Sequence, residues 1–302
     1  LVHRLRLHHL ANPETHAQFA LLTDWADADT ETTATDAPLL AAMLSGVDEL
    51  NLAHPSPLGE PPRFIVLHRA RVFSDTEQRW IGWERKRGKL EQLVSALAEG
   101  TTGAFLDLGE GSRLAANTPY IVTLDSDTQL PPGRLRGLVG VAAHPDNQPR
   151  LDASRRIVLS GYGILQPRIV MPLPAASEVT LYHWLFAGRC GIDPYSAATS
   201  EVYQDLFGEG SFTGKGLINV QAMHAVLCGR LPQGRVLSHD LLEGSMARCA
   251  AVSDITVIES APFHADVAAA RVHRWTRGDW QLLPFLFSAA GQRLRAINRW
   301  KM

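Results

Sequence analysis

Short apolar runs of strand length alternate with segments of helical period along almost the whole chain, and this alternation restricts it to an α/β fold. QFALLTD (around 17–24), RFIVLHR (63–69) and residues 120–124 read as buried strands. Residues 37–54 carry Leu39, Leu40, Met43, Leu44, Val47 and Leu50 at helical spacing, and 88–97 carry Leu90, Leu93, Val94 and Leu97 on one face. Residues 134–143 read as helix and 156–170 as extended chain, followed by a polar, Gly-rich, irregular stretch over 187–216. Helix-like 218–228, strand-like 235–238, helix-like 240–249 and strand-like 252–259 come next, and a last helix begins near Ala265. This order predicts a mainly parallel central sheet with helices on both faces. Ligands of such sheets collect beyond the carboxyl ends of the strands. No repeat or linker divides the chain, so one domain over 1–302 is expected.

Composition narrows the function classes. The net charge of −2 gives no electrostatic footprint for nucleic acid. Cys190, Cys228 and Cys249 are far apart and lack CxxC spacing, which suits small buried side chains rather than a disulfide or zinc set. No apolar run reaches the roughly 18–20 residues that cross a bilayer. The stretch from 271 to 302 carries seven Lys/Arg against one acid, Asp279, together with Trp275, Trp280, Phe285, Phe287 and Trp300. That mixture suits either a basic surface helix or a membrane interface. The chain starts and stops within helical patterns, at LVHRLRLHHL and INRWKM, as expected of a piece of a longer protein.

The charged positions are the informative ones. In TPYIVTLDSDTQLPPG (118–133), Asp125 and Asp127 leave the end of an apolar strand. Carboxylates at i and i+2 there can share one hard divalent cation with phosphate oxygens, or can simply cap a turn before Pro131-Pro132-Gly133. GEGSFTGKG (208–216) lacks the spacing of a phosphate loop. Its glycines let backbone approach a ligand, with Phe212 and Lys215 as side-chain contacts, or make a flexible surface loop. In LSHDLLEG (237–244), Asp240 opens a helix, as an N-cap or as a general base. In RVHRWTRGDWQ (271–281), Arg271, Arg274 and Arg277 share a helical face, and Arg forks suit pyrophosphate oxygens. Trp275 offers a flat face on which a sugar can stack. Lys86 or Lys89 of ERKRGKL (84–90) can meet a phosphate at a helix start, and Asp24 of LLTDWADAD (21–29) can accept bonds from a base or ribose. A solvated charge run and a turn are the plainer readings of these two.

The order DSDT, SHDLLEG, HRWTRGDWQ resembles the inverting GT-A glycosyltransferases of the family 2 type, which carry DxD, then an Asp-containing ED motif, then QxxRW. Asp125 and Asp127 match the DxD, Asp240 the catalytic Asp, and Arg274-Trp275 the RW, with Arg271 in place of Gln and His239 in place of Glu. ANPETHAQFALLTDWADA, RWIGWERKRGKLEQL, GIDPYSAATSEVYQDLFGEGSFTGKG, SHDLLEG and HRWTRGDWQLLPF narrow the likeness to the glycosyltransferase domain of cyclic β-1,2-glucan synthases of bacterial envelopes. That resemblance implies a GT-A fold whose first strand, expected before LVHRLRLHHL, is absent here. It also implies a much larger protein anchored in the inner membrane by flanking segments.

The same resemblance implies UDP-glucose as donor, a growing β-glucan as acceptor and Mg²⁺ or Mn²⁺ as cofactor. It makes Asp240 the base, and Asp125 and Asp127 the metal ligands. Asp24, Lys89, Asp125, Arg271 and Arg274 become donor contacts, and Trp275, Phe212 and Lys215 acceptor contacts. Two other readings stay open: a membrane-bound polysaccharide synthase of the same fold making another linkage, and a non-catalytic domain that binds sugar nucleotide or glucan as a scaffold.

Overall fold

The computed structural model describes residues 1–154, 156–172, 179–186, 201–234, 236, 240–260, 262, 264–288 and 294–301. The expected strand over 235–238, the phrase GIDPYSAATS, Ser238-His239 and Cys190 lie wholly or mostly outside these residues. The chain forms two compact units, Leu1–Pro119 and Tyr120–Met302.

The first unit runs α1 (Val2–Ala11), β1 (Phe19–Asp24), α2 (Asp36–Ala53), β2 (Phe64–Arg69), β3 (Val72–Ser74), β4 (Arg79–Ile81) and α3 (Arg85–Glu99). β1 and β2 pair in parallel, from Phe19 opposite Phe64 to Asp24 opposite Arg69. Every residue of β2 is buried, as its unbroken apolar run requires. Leu5, Leu21, Val47, Leu50, Phe64 and Val66 form the core. Asn51 of α2 exchanges two 2.9 Å hydrogen bonds with the Phe64 backbone, satisfying polar groups of the buried strand. Gly88 lies so close to the Trp83 carbonyl that a Cβ would sit 2.0 Å from its oxygen, so the first turn of α3 requires glycine. The small antiparallel β3–β4 ribbon has no counterpart in the expected order of elements.

The second unit contains β5 (Tyr120–Thr123), β6 (Thr128–Gln129), α4 (Arg134–Ala143), β7 (Arg150–Asp152), β8 (Ile157–Ser160), β9 (Ile164–Val170), α5 (Leu181–Phe186), α6 (Val202–Phe207), β10 (Gly216–Asn219), α7 (Val220–Leu227), α8 (Asp240–Ala247), β11 (Cys249–Glu259), α9 (Ala265–Trp280), α10 (Leu283–Leu286) and α11 (Ala296–Lys301). Five strands form one sheet in the order β5-β10-β9-β11-β6. Here the structure departs from the expected mainly parallel sheet. β9 and β11 pair in parallel, but β10 runs against both β5 and β9, and β6 runs against β11. The sheet is mixed because β10 inserts between β5 and β9 and runs antiparallel to both. Ile218 and Asn219, expected as the start of the helix over 218–228, belong instead to β10. The helix begins only after Asn219, whose side chain accepts a 2.9 Å bond from the Ala222 amide as an N-cap. Leu138 and Ala142 of α4 share a buried cluster with Leu165, Leu217, Val252, Ile255 and Val257 of the sheet and its bulge. Among the described residues no helix is long and apolar enough to cross a membrane.

Candidate active site

The antiparallel pairings gather the charged residues at one end of the five-stranded sheet. Gly216 stands opposite Thr123, so the amino end of β10 meets the carboxyl end of β5, and Lys215 comes beside Asp125. Glu259 stands opposite Thr128, so the carboxyl end of β11 comes beside Asp127. Side chains complete what register begins. Lys215 Nζ lies 2.7 Å from Glu259 Oε2 and 3.2 Å from Asp125 Oδ2. Arg271, on the second turn of α9, lies 3.6 Å from Glu259 Oε1 and 3.9 Å from Asp127 Oδ2. Lys215 and Glu259 are buried, while Asp125 and Asp127 keep part of their carboxylates in solvent. Burial alone would pull the Lys215 ammonium toward its neutral form, but the Glu259 and Asp125 carboxylates outweigh it and raise its pKa above the ordinary value.

Asp240 joins the same place through the chain before Lys215. It is the first residue of α8, and its carboxylate lies against Gly214: a Cβ there would be 2.9 Å from Oδ2 and 3.0 Å from Oδ1. Gly214 has φ +82°, a conformation open to glycine, so this residue both makes the turn and leaves room for the carboxylate. Thr123 Oγ1 donates toward the Gly216 carbonyl at 3.3 Å, tying the loop to β5.

The Arg/Trp helix divides its residues. Arg271, the residue in place of the motif's Gln, reaches the carboxylates and lies over the Trp275 ring at 5.6 Å. Arg274 is exposed and makes no ion pair among the described residues. Trp275 is 37% exposed, which leaves part of its indole face available. Phe212 is in the core at 2% exposure, packed over Gly244, so its ring does not line a surface path.

Asp24 and Lys89 belong to the first unit. Asp24, at the end of β1, receives the Arg69 guanidinium as a fork, at 2.6 Å to Oδ1 and 3.0 Å to Oδ2, and Lys89 Nζ lies 3.3 Å away. Register sets this pair up, because Asp24 is the β partner of Arg69. Beside it, His68 is buried, with Nδ1 at 2.8 Å from Thr23 Oγ1 and its ring edge-on to Trp25. Burial pushes the His68 imidazole below its ordinary pKa.

The donor chemistry of the second unit suits a hard cation that also takes oxygens from a ligand. Asp125 and Asp127 are partly exposed carboxylates at one strand end. Among the described residues they do not form, with a third His, Cys, Asp or Glu, a set of ligand atoms all within 4.8 Å of one another. One or two carboxylates completed by phosphate and water oxygens are the donor set of Mg²⁺-like ions.

Glu259 is the member of this cluster that motif reading missed, and among the loop glycines the particular place of Gly214 was not singled out. Glu259 carried the signal that identified Asp125, an acid at the exit of an apolar strand. Gly214 became visible only once Asp240 had a position.

No family model matches the chain. It is similar to the cyclic beta-(1,2)-glucan synthase NdvB of Rhizobium meliloti (strain 1021), at 43% identity over 303 aligned residues that include all of this chain. The chain spans about a tenth of the length of that relative. Over its whole length the chain is therefore related to a domain-sized segment of a cyclic β-(1,2)-glucan synthase.

Proposed function

We propose that this chain is a metal-dependent inverting glucosyltransferase of GT-A type, moving glucose from UDP-glucose to the 2-hydroxyl of a growing β-1,2-glucan. The reading places it at the cytoplasmic face of a bacterial inner membrane, within a larger synthase. The observation that carries it is the meeting of Asp240, Asp125 and Lys215 around one glycine loop, in a chain 43% identical to a segment of a glucan synthase.

The donor glucose is α-linked and a β-linked product requires inversion, hence one in-line displacement and one base. Asp240 takes the proton from the acceptor hydroxyl. Asp125 and Asp127 hold Mg²⁺ or Mn²⁺, which when bound neutralises charge on the diphosphate leaving group. Arg271 adds fixed positive charge on the same side, and Arg274, exposed on α9, is free to swing to a phosphate. Trp275 offers its half-open face to an acceptor glucose.

The test is transfer from UDP-glucose to a β-1,2-linked oligosaccharide, with the new linkage and anomer read by NMR. Asp240→Asn should lower the rate by about 10²–10⁴-fold, the span of a general base, while UDP still binds. Substantial transfer by Asp240→Asn removes Asp240 as the base. A product of another linkage points to a different polysaccharide synthase.

A further inference from the structure

Glu259 has no part in the transfer chemistry above, yet it is the residue on which the site's two buried-side cations converge. It ends β11 at 3% exposure, opposite Thr128 in the ladder and so one position from Asp127. Lys215 Nζ is nearer to it, at 2.7 Å, than to Asp125, at 3.2 Å. Arg271 is likewise nearer to it, at 3.6 Å, than to Asp127, at 3.9 Å. A long ammonium side chain and a divalent cation compete when both use the same Asp125 oxygen. The backbone beside Lys215 is held in the sheet, because Gly216 pairs with Thr123 and passes so near the Leu165 carbonyl that a Cβ would meet the oxygen at 2.2 Å. Only the stem of Lys215 can choose between the two carboxylates.

We propose that Glu259 is a positioning residue that holds the Lys215 ammonium and the Arg271 guanidinium back from Asp125 and Asp127, and that Lys215 is the internal competitor of the divalent cation at Asp125. This rests on the reading of Asp125 and Asp127 as cation ligands. The Glu259 carboxylate gives Lys215 a second, buried partner, so the ammonium can yield Asp125 to a metal. With that carboxylate removed by substitution, the ammonium would be left with Asp125, and Arg271 with Asp127.

Titration of the chain with Mn²⁺ in the presence of UDP, with free Mn²⁺ read by electron paramagnetic resonance, tests this without any turnover. An added or removed charge at this range moves a neighbouring charged equilibrium by about one to three powers of ten. Lys215→Met should therefore bind Mn²⁺ about tenfold more tightly than wild type, and Glu259→Gln about tenfold more weakly. The double variant should return to within about threefold of Lys215→Met, because Glu259 acts on the metal through Lys215. A merely structural Glu259 would not be rescued by removing Lys215. If Glu259→Gln does not fold, Lys215→Met and the double variant, which leaves no unpaired lysine, carry the same comparison. Equal or weaker Mn²⁺ binding by Lys215→Met, beside a wild type that binds, overturns the competitor role and leaves the functional reading standing. Absence of Mn²⁺ binding in both overturns the cation reading of Asp125 and Asp127, and this inference with it.

Discussion

Replacing Gly214 by alanine separates the position of the base from the stability of the loop. At φ +82° an alanine costs about 1–2 kcal/mol of backbone strain. In a unit of this size each kcal/mol lowers the melting temperature by about 2–4 °C, so a fall of about 2–8 °C is expected. The new methyl would also stand 2.9 Å from Asp240 Oδ2, against an ordinary contact that begins at 3.4 Å. The carboxylate must then recede by about 0.5 Å, the difference of those distances. A misplacement of about 1 Å at reacting groups costs about 10²-fold, so transfer should fall by about tenfold while UDP and Mn²⁺ binding hold. Gly229→Ala is the control. Its φ of +64° carries similar strain, but nothing lies within 4 Å of the added Cβ. Steady-state transfer rates and melting curves of both variants at one temperature, well below either transition, make the comparison. If Gly214→Ala transfers as fast as Gly229→Ala, the place of Asp240 over Gly214 has no catalytic meaning and the assignment of the base fails.

The remaining predictions follow from burial. Asp24→Ala leaves the Arg69 guanidinium buried without its fork partner, and urea unfolding should show a loss of about 3 kcal/mol; an unchanged midpoint would mean that Arg69 does not depend on Asp24. Phe212→Ala should cost about 3–5 kcal/mol as a core truncation, and a variant of normal stability with impaired acceptor use would return Phe212 to the acceptor path. His68 has a folded pKa below its unfolded value near 6.5, so the unfolded chain takes up the proton first as pH falls. Stability is therefore full above about pH 6.5, falls as pH drops toward the folded pKa, and levels off below it. Urea midpoints between about pH 7.5 and pH 5.5 should fall less steeply for His68→Gln than for wild type, and equal slopes would exclude His68 as a source of the acid sensitivity.

Much of this architecture was legible in the chain because hydrophobic period fixes element type over long segments. α2, α3, α4, β2 and β11 lie where apolar spacing puts them. Pairing direction was not legible, since alternation of strands and helices does not say which neighbour a strand chooses. The four residues of β10 merge in sequence with the helix that follows, and only the capping Asn219 marks the junction. The site divides along similar lines. Asp125, Asp127 and Asp240 stand out as acids at element ends, and the structure brings the first two to one sheet end and Asp240 to the glycine loop beside it. The helical period put Arg271, Arg274 and Arg277 on one face, but only the packing of α9 reveals that Arg271 turns to the carboxylates and Arg274 to solvent. The burial of Phe212 was not legible for a related reason: nothing in a glycine-rich loop shows that Gly244 provides the floor on which the ring is buried.

Calorimetric titration of UDP into the chain, with and without Mn²⁺ and beside Asp127→Ala, tests most directly that the end of the five-stranded sheet is a metal-dependent donor site. The account predicts binding that requires Mn²⁺ and is lost in Asp127→Ala. Binding that ignores Mn²⁺, or that survives intact in Asp127→Ala, would contradict it.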